Sequence, residues 1–111
     1  MASNVRNRIC IVFGTRPEAI KLLPLVIAAK SDPRFDCRIC ITAQHRQMLD
    51  QVMNLFELHA DYDLDLMTPN QDLYAITSGV LLGMRSVLRE AQPDIVLVHG
   101  DTTTCFAASL A

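Results

Sequence analysis

Arg16 and Lys21 are the residues best suited to bind an anion. Both follow an apolar run at residues 9–13 that stops at Gly14. The guanidinium of Arg16 is a fork of N–H donors that fits a phosphate or a carboxylate. Lys21 would lie further along a helix and lean back toward its start, because helical side chains tilt that way. The same two residues would also suit a well-capped helix with solvated cations, so their role depends on where the fold places them.

Asp101 is the carboxylate best suited to proton transfer, and His99 lies two positions before it. Both follow a second apolar run at residues 95–98. A positioned aspartate can act as an acid or base or hydrogen-bond a polar ligand, and a histidine can donate to one. However, Asp101 followed by three threonines is also a strong helix N-cap, and a histidine that closes an apolar strand is often only structural. Residue type alone leaves both interpretations open.

Other patterns exclude two kinds of site. The three histidines show no metal-ligand spacing, so we expect no bound metal. Gly14 has no glycine partner in its turn, so the Gly-x-Gly-x-x-Gly fingerprint is absent and a dinucleotide site is disfavoured.

The polar residues 44–47 are most simply a solvated loop and helix start. They would contact a ligand only if they lie near the same cleft.

The elements that carry these residues alternate between strands and helices. Apolar or alternating runs predict strands at residues 9–13, 37–42, 62–66 and 95–98, the third of them near a sheet edge. Thr15-Arg16-Pro17-Glu18 matches a capping box and predicts that a helix begins directly after Gly14. Further helices are predicted from the apolar spacing of Met48, Val52, Leu55 and Phe56, over residues 71–91, and after residue 102.

This alternation predicts an α/β fold, a Rossmann-like open parallel sheet with helices on both faces. Right-handed crossovers favour the strand order 3-2-1-4, with the helices after strands 1 and 4 on opposite faces. A crevice then opens between those two strand tips. Gly14, Thr15 and Arg16 would meet His99 and Asp101 there.

The start of the first helix is a second reason to expect an anion at this crevice. The first turn of a helix leaves backbone N–H groups without helical partners, and the helix dipole is positive there. We therefore expect unpaired N–H groups at this junction to face the ligand.

Composition narrows the class of protein further. The chain has 111 residues, half of them apolar, and a net charge of −2. It is therefore one domain at most, with no basic run to bind nucleic acid or an anionic membrane. No signal peptide or membrane span is evident, so we expect a cytoplasmic protein. Cys37 and Cys40 would face opposite sides of a strand, so we expect buried, inert thiols rather than a disulfide or chelate.

Three motifs resemble one enzyme family. They are Phe-Gly-Thr-Arg-Pro-Glu-Ala-Ile-Lys at 13–21, Thr-Ala-Gln-His-Arg-Gln-Met-Leu-Asp-Gln-Val at 42–52 and Asp-Ile-Val-Leu-Val-His-Gly-Asp-Thr-Thr-Thr at 94–104. In order and spacing they resemble the non-hydrolysing bacterial UDP-N-acetylglucosamine 2-epimerases, isomerases of a nucleotide sugar. The resemblance implies a GT-B-type enzyme, in which two Rossmann-like domains face each other across a cleft. It also implies interconversion of UDP-N-acetylglucosamine (UDP-GlcNAc) and UDP-N-acetylmannosamine by elimination and re-addition of UDP, without nicotinamide or metal.

The resemblance also suggests roles for individual residues. Arg16, Lys21 and Asp101 match active-site positions, with Asp101 the expected catalytic residue. The expected substrate contacts are Arg16, Lys21, Gly14, Thr15 and His99. Gln44 and Gln47 match positions where some members hold a second UDP-GlcNAc as an allosteric activator, although an arginine that assists there corresponds to Asn70 here.

The resemblance sets the expected extent of the domain. Residues 1–7 would be a disordered tail, and residues 8–111 an incomplete first domain cut within the helix after strand 4. The other catalytic groups and the second domain would lie beyond residue 111, so we expect this chain alone to be inactive. An exposed edge of strand 4 would favour self-association, and we expect a homodimer. The alternatives are the first domain of a hydrolysing epimerase or GT-B glycosyltransferase, or a non-catalytic half-Rossmann binding module.

Overall fold

A computed structural model of the chain describes residues 7–42, 46–66, 72–99 and 103–111. Within these ranges, strands and helices alternate as predicted. The elements are β1 (Asn7–Phe13), α1 (Arg16–Ser31), β2 (Phe35–Ile41), α2 (Arg46–Leu55), β3 (Tyr62–Asp63), α3 (Leu73–Ala91), β4 (Ile95–Leu97) and α4 (Thr103–Leu110). β1 begins one residue before the predicted domain start. Residues 1–6 lie outside the described ranges, so the disordered tail stays a prediction.

The four strands form one parallel sheet in the order β3-β2-β1-β4. β1 pairs with β2 along its whole length, from Asn7 opposite Phe35 to Phe13 opposite Ile41. On its other side β1 pairs with β4. The predicted strand order is therefore confirmed, and so is the predicted position of β3 at an edge.

Side chains that alternate along β1 divide the core into two layers. Ile9, Ile11 and Phe13 pack with α1 and α2, whereas Cys10 and Val12 pack with α3 and α4. β1 is buried on both faces, as its continuous apolar run predicts. The helices after β1 and β4 consequently lie on opposite faces of the sheet, which confirms the arrangement expected for a crevice between these strands.

Some element boundaries and burial patterns differ from the prediction. β3 has two residues rather than five, although the chain continues beside β2: Leu64 N–H donates to the Ile41 carbonyl at 2.9 Å. The helix predicted from this apolar spacing is present as α2, but Leu55 is 77% exposed and Phe56, just past its end, is 46% exposed. The buried side of α2 is Leu49, Val52 and Met53. Apolar spacing predicted the helix, but the position of α1 determines which apolar side chains of α2 are buried.

Cys37 and Cys40 lie in different layers of the structure and form no disulfide. Cys37 belongs to the layer with α1 and α2, and Cys40 belongs to the layer with α3 and α4. Cys40 Sγ lies 3.9 Å from Met84 Sδ. Burial raises the pKa of Cys10 to about 11 and that of Cys40 to about 12. These thiols are therefore protonated at neutral pH and poor nucleophiles, as expected.

Two glycines of α3 allow this helix to approach the segment after β3. A Cβ atom added to Gly83 would lie 2.7 Å from Leu64 Cδ1, and one added to Gly79 would lie 3.2 Å from Leu66 Cδ2. The helix therefore packs closely on this segment at both positions. None of the helices in the described ranges is long and apolar enough to cross a membrane.

Gly83→Ala should destabilise the fold while Gly79→Ala should not. At Gly83 the new methyl group overlaps Leu64, which costs about 1–3 kcal/mol and outweighs the helix-propensity gain of about 1 kcal/mol. At Gly79 a small shift of Leu66 accommodates the methyl group, so the propensity gain offsets the packing cost. Urea denaturation of both variants measures the difference. Equal stability of the two variants would contradict this account. Leu64→Ala should lessen the effect of Gly83→Ala, and an unchanged effect would also contradict it.

Candidate functional site

The site lies where β1 and β4 end side by side. The last pair between these two parallel strands is Ile11 with Leu97, and Phe13 and His99 both follow it toward the same, carboxyl edge of the sheet. The turn after β1 therefore lies at the same sheet edge as His99, between helices on opposite faces. Such a topological switch point is where open α/β sheets bind ligands. The structure thus brings these two strand ends together, as predicted.

The turn from β1 into α1 is built by a capping box. Thr15 is the N-cap residue, and its Oγ1 accepts a hydrogen bond from Glu18 N–H at 3.5 Å. The Thr15 carbonyl accepts from Ala19 N–H at 3.0 Å. Pro17 lies in the first turn, where its missing N–H costs no helical bond. This local arrangement confirms the capping box predicted from the sequence.

Glu18 fills the place expected for a ligand anion. Its side chain is 4% exposed, and its Oε1 accepts hydrogen bonds from Gly14 N–H at 2.9 Å and Thr15 N–H at 3.2 Å. These two N–H groups are therefore already bonded within the protein. The glutamate in the capping box was the signal in the sequence, but its reach beyond the cap to Gly14 appears only in the structure.

A second buried polar residue lies at the same edge. In the part of the chain that the structure describes, Glu18 and Thr42 are the polar residues that are buried. Thr42 N–H donates to the Phe13 carbonyl, and the Thr42 carbonyl accepts from Leu66 N–H, both at 3.1 Å. Thr42 therefore ties together the end of β1 and the segment after β3. Sequence analysis did not single it out.

The other predicted site residues fall into three groups. Lys21 is exposed on α1, and His99 is exposed just after β4. The backbone of Arg16 begins α1 and that of Gln47 lies in α2, but their side chains lie outside the description. Asp101 and Gln44 fall outside the described residues. Among the residues described, no group of three or more His, Cys, Asp or Glu is placed to hold a metal ion.

Comparison with known proteins identifies the family. A family model described as UDP-N-acetylglucosamine 2-epimerase matches residues 27–111. The chain belongs to this family. Its relatives include the UDP-N-acetylglucosamine 2-epimerases of Yersinia pestis, 59% identical over 104 residues, and of Escherichia coli K12, 57% identical over 104 residues. Each of these alignments covers 94% of this chain and 28% of the relative.

A solved structure of the 2-epimerase family has the same fold. The crystal structure of UDP-GlcNAc 2-epimerase from Neisseria meningitidis bound to UDP-GlcNAc matches with a TM-score of 0.88 and 54% sequence identity. The match covers 93% of this chain and 28% of that structure. This chain therefore spans about 28% of the length of the 2-epimerases that it resembles.

Proposed function

We propose that this chain is part of an enzyme that interconverts UDP-GlcNAc and UDP-N-acetylmannosamine. The observation that carries the proposal is the match to the Neisseria structure, 54% identical and bound to UDP-GlcNAc. The sugar nucleotide would bind beside the ends of β1 and β4. This location agrees with the general position of ligands in open α/β sheets.

The proposed reaction is elimination followed by re-addition. A base removes the proton from C2 of the sugar, the C1–O bond breaks, and its electron pair leaves on the diphosphate of UDP. The resulting C1=C2 double bond then takes up a proton on the opposite face of C2, and UDP returns to C1. Catalysis of these steps requires a positioned carboxylate and cations that stabilise the departing diphosphate.

Residues of this chain can serve both requirements. Asp101 is proposed as the group that transfers the C2 proton. Arg16 and Lys21 would stabilise the diphosphate, with further substrate contacts from Thr15 and His99. Because the N–H groups of Gly14 and Thr15 already donate to Glu18, side chains rather than these backbone donors would meet the phosphate charge.

We assign the activity to the full-length polypeptide that carries these residues, because the chain spans 28% of its relatives. Residues 1–111 would be the larger part of the first domain of a GT-B-type enzyme and inactive alone. Gln44 and Gln47 are proposed to bind an activating UDP-GlcNAc. The thiols of Cys10, Cys37 and Cys40 form no disulfide, which suits a reducing compartment and supports the proposal of a cytoplasmic protein.

Proton NMR of the full-length protein with UDP-GlcNAc in deuterated buffer tests the proposal. We expect the manno epimer to accumulate with deuterium at C2, and no exchange with residues 1–111 alone. Release of free N-acetylmannosamine would instead indicate a hydrolysing epimerase. Sugar transfer to an acceptor would indicate a glycosyltransferase, and binding without any reaction would indicate a non-catalytic module.

A homodimer is part of the proposal, and an apolar groove between α1 and α2 supports it. The groove has a volume of about 310 Å³. The residues that line it are all of apolar types: Ile20, Leu23, Pro24, Ile27, Val52, Leu55 and Phe56. Exposed apolar patches of this kind are typical of interaction surfaces.

Leu55→Glu should convert the full-length dimer to a monomer. A charge in the groove would have to be buried without a partner in the dimer, which is costly. Leu82→Glu is the matched control, because Leu82 is also exposed, at 57%, but lies on α3 across the sheet. Light scattering coupled to gel filtration measures the mass. A wild-type monomer, or an unchanged dimer in Leu55→Glu, would contradict the use of this groove.

A further inference from the structure

We infer that Glu18 is a positioning residue of the proposed reaction, because its carboxylate fixes the turn from which Arg16 extends. The inference rests on the proposed function. It concerns a buried side chain to which neither the motif comparison nor the proposed chemistry gives a role in catalysis.

The hydrogen bonds of Glu18 go beyond what a helix cap requires. A capping box needs only the bond to the N-cap N–H, here the 3.2 Å bond from Thr15. The shorter bond, 2.9 Å from Gly14 N–H, lies outside the box and reaches the residue directly after β1. One carboxylate oxygen therefore joins the end of the strand to the start of the helix. The turn is held from both sides, and Arg16 is the next residue along the chain.

Because Glu18 is buried, water cannot readily take the place of its hydrogen-bond donors. A carboxylate that is 4% exposed must be compensated by hydrogen bonds and favourable dipoles. The two N–H donors and the positive end of α1 supply that compensation. Charge-assisted hydrogen bonds are also stronger than neutral ones. The turn is consequently rigid compared with one held by solvent.

The same contacts determine how the diphosphate can be recognised. Gly14 and Thr15 donate to Glu18, Glu18 N–H donates to Thr15, and Ala19 N–H donates to the Thr15 carbonyl. Pro17 has no N–H. These backbone groups are already engaged and would not meet the phosphate charge, and side chains such as Arg16 are proposed to do so. Removal of Glu18 would free backbone donors for UDP while the position of Arg16 becomes less defined.

Removal of the Glu18 carboxylate should affect turnover and UDP binding separately. In the full-length protein, Glu18→Ala should lower kcat about 100-fold, the scale expected when a catalytic group is misplaced by about 1 Å. The inhibition constant for UDP should not rise, because the freed N–H groups replace lost contacts. Glu18→Gln keeps an oxygen that can accept both N–H bonds, so its kcat should stay within about fivefold of the wild type.

Asp94→Ala is the matched control. Asp94 Oδ2 accepts from Arg8 N–H at 2.7 Å, so it also holds the backbone of β1, but at the opposite end of the strand. Its removal should lower stability and leave kcat within about twofold, since it is remote from the crevice. Urea denaturation of each variant defines conditions in which all of them are folded. If Glu18→Ala does not fold, Glu18→Asp replaces it, because aspartate keeps the charge but cannot span both N–H groups.

The outcomes separate this inference from the proposed function. A folded Glu18→Ala or Glu18→Asp variant with wild-type kcat overturns the inference. The inference is also overturned if the variant keeps its kcat and only its inhibition constant for UDP rises. A wild-type protein without epimerase activity overturns the proposed function and the inference with it, whereas an active wild type with an equally active variant overturns the inference alone.

Discussion

Asp101→Asn should lower kcat of the full-length protein by about 100-fold or more, the scale of a lost general acid or base. The amide of asparagine is nearly the same size and still caps a helix, so the free energy of unfolding should change by no more than about 0.5 kcal/mol. Exchange of the C2 proton for deuterium, followed by NMR, measures the chemical step. Urea denaturation of the same sample measures the stability.

Asp94→Asn is the control for Asp101→Asn. Asp94 lies just before β4 and its carboxylate accepts from the backbone of β1, whereas Asp101 follows β4 at the end that forms the crevice. The control should keep wild-type exchange. Retained exchange in Asp101→Asn would show that Asp101 only caps a helix, and equal losses in both variants would show a general effect on the fold.

Phe13→Ala should lower the free energy of unfolding by about 3–5 kcal/mol. Phe13 is the last residue of β1, is fully buried, and packs in the layer with α1 and α2. Removal of its ring leaves a cavity that neighbouring elements of a sheet can only partly fill. Since folded domains are stable by only about 5–15 kcal/mol, this loss is a large share of the total.

Phe106→Ala is the matched control for Phe13→Ala. Phe106 lies on α4 and is 63% exposed, so its truncation should change stability by no more than about 0.5 kcal/mol. The midpoint and slope of urea denaturation measure both variants. Similar losses at the two positions would contradict the assigned core, and a small loss at Phe13 would show that the layer repacks.

Much of the framework followed from local sequence. The apolar run in β1, the capping box at Thr15 and the strand-helix alternation were sufficient to predict the sheet order, because crossover handedness leaves few topologies. The same rules predicted that the ends of β1 and β4 meet.

Features that depend on distant segments required the tertiary structure. Helical spacing could not show that Leu55 borders an open groove, because burial depends on what packs against α2. The length of β3 depends on how far the chain stays beside β2. Leu64 as the neighbour of Gly83 likewise lies in another element.

The candidate site was likewise only partly predictable from the sequence. Its residue types and their meeting point could be predicted from the sequence, since strand order and polarity determine which loops share a sheet edge. The hydrogen bonds from the Gly14 and Thr15 N–H groups to Glu18 could not be predicted in this way. They depend on how far the Glu18 side chain reaches across the turn and on its burial. The sequence by itself determined which groups are available at the crevice, and the tertiary structure decided which of them are already bonded within the protein.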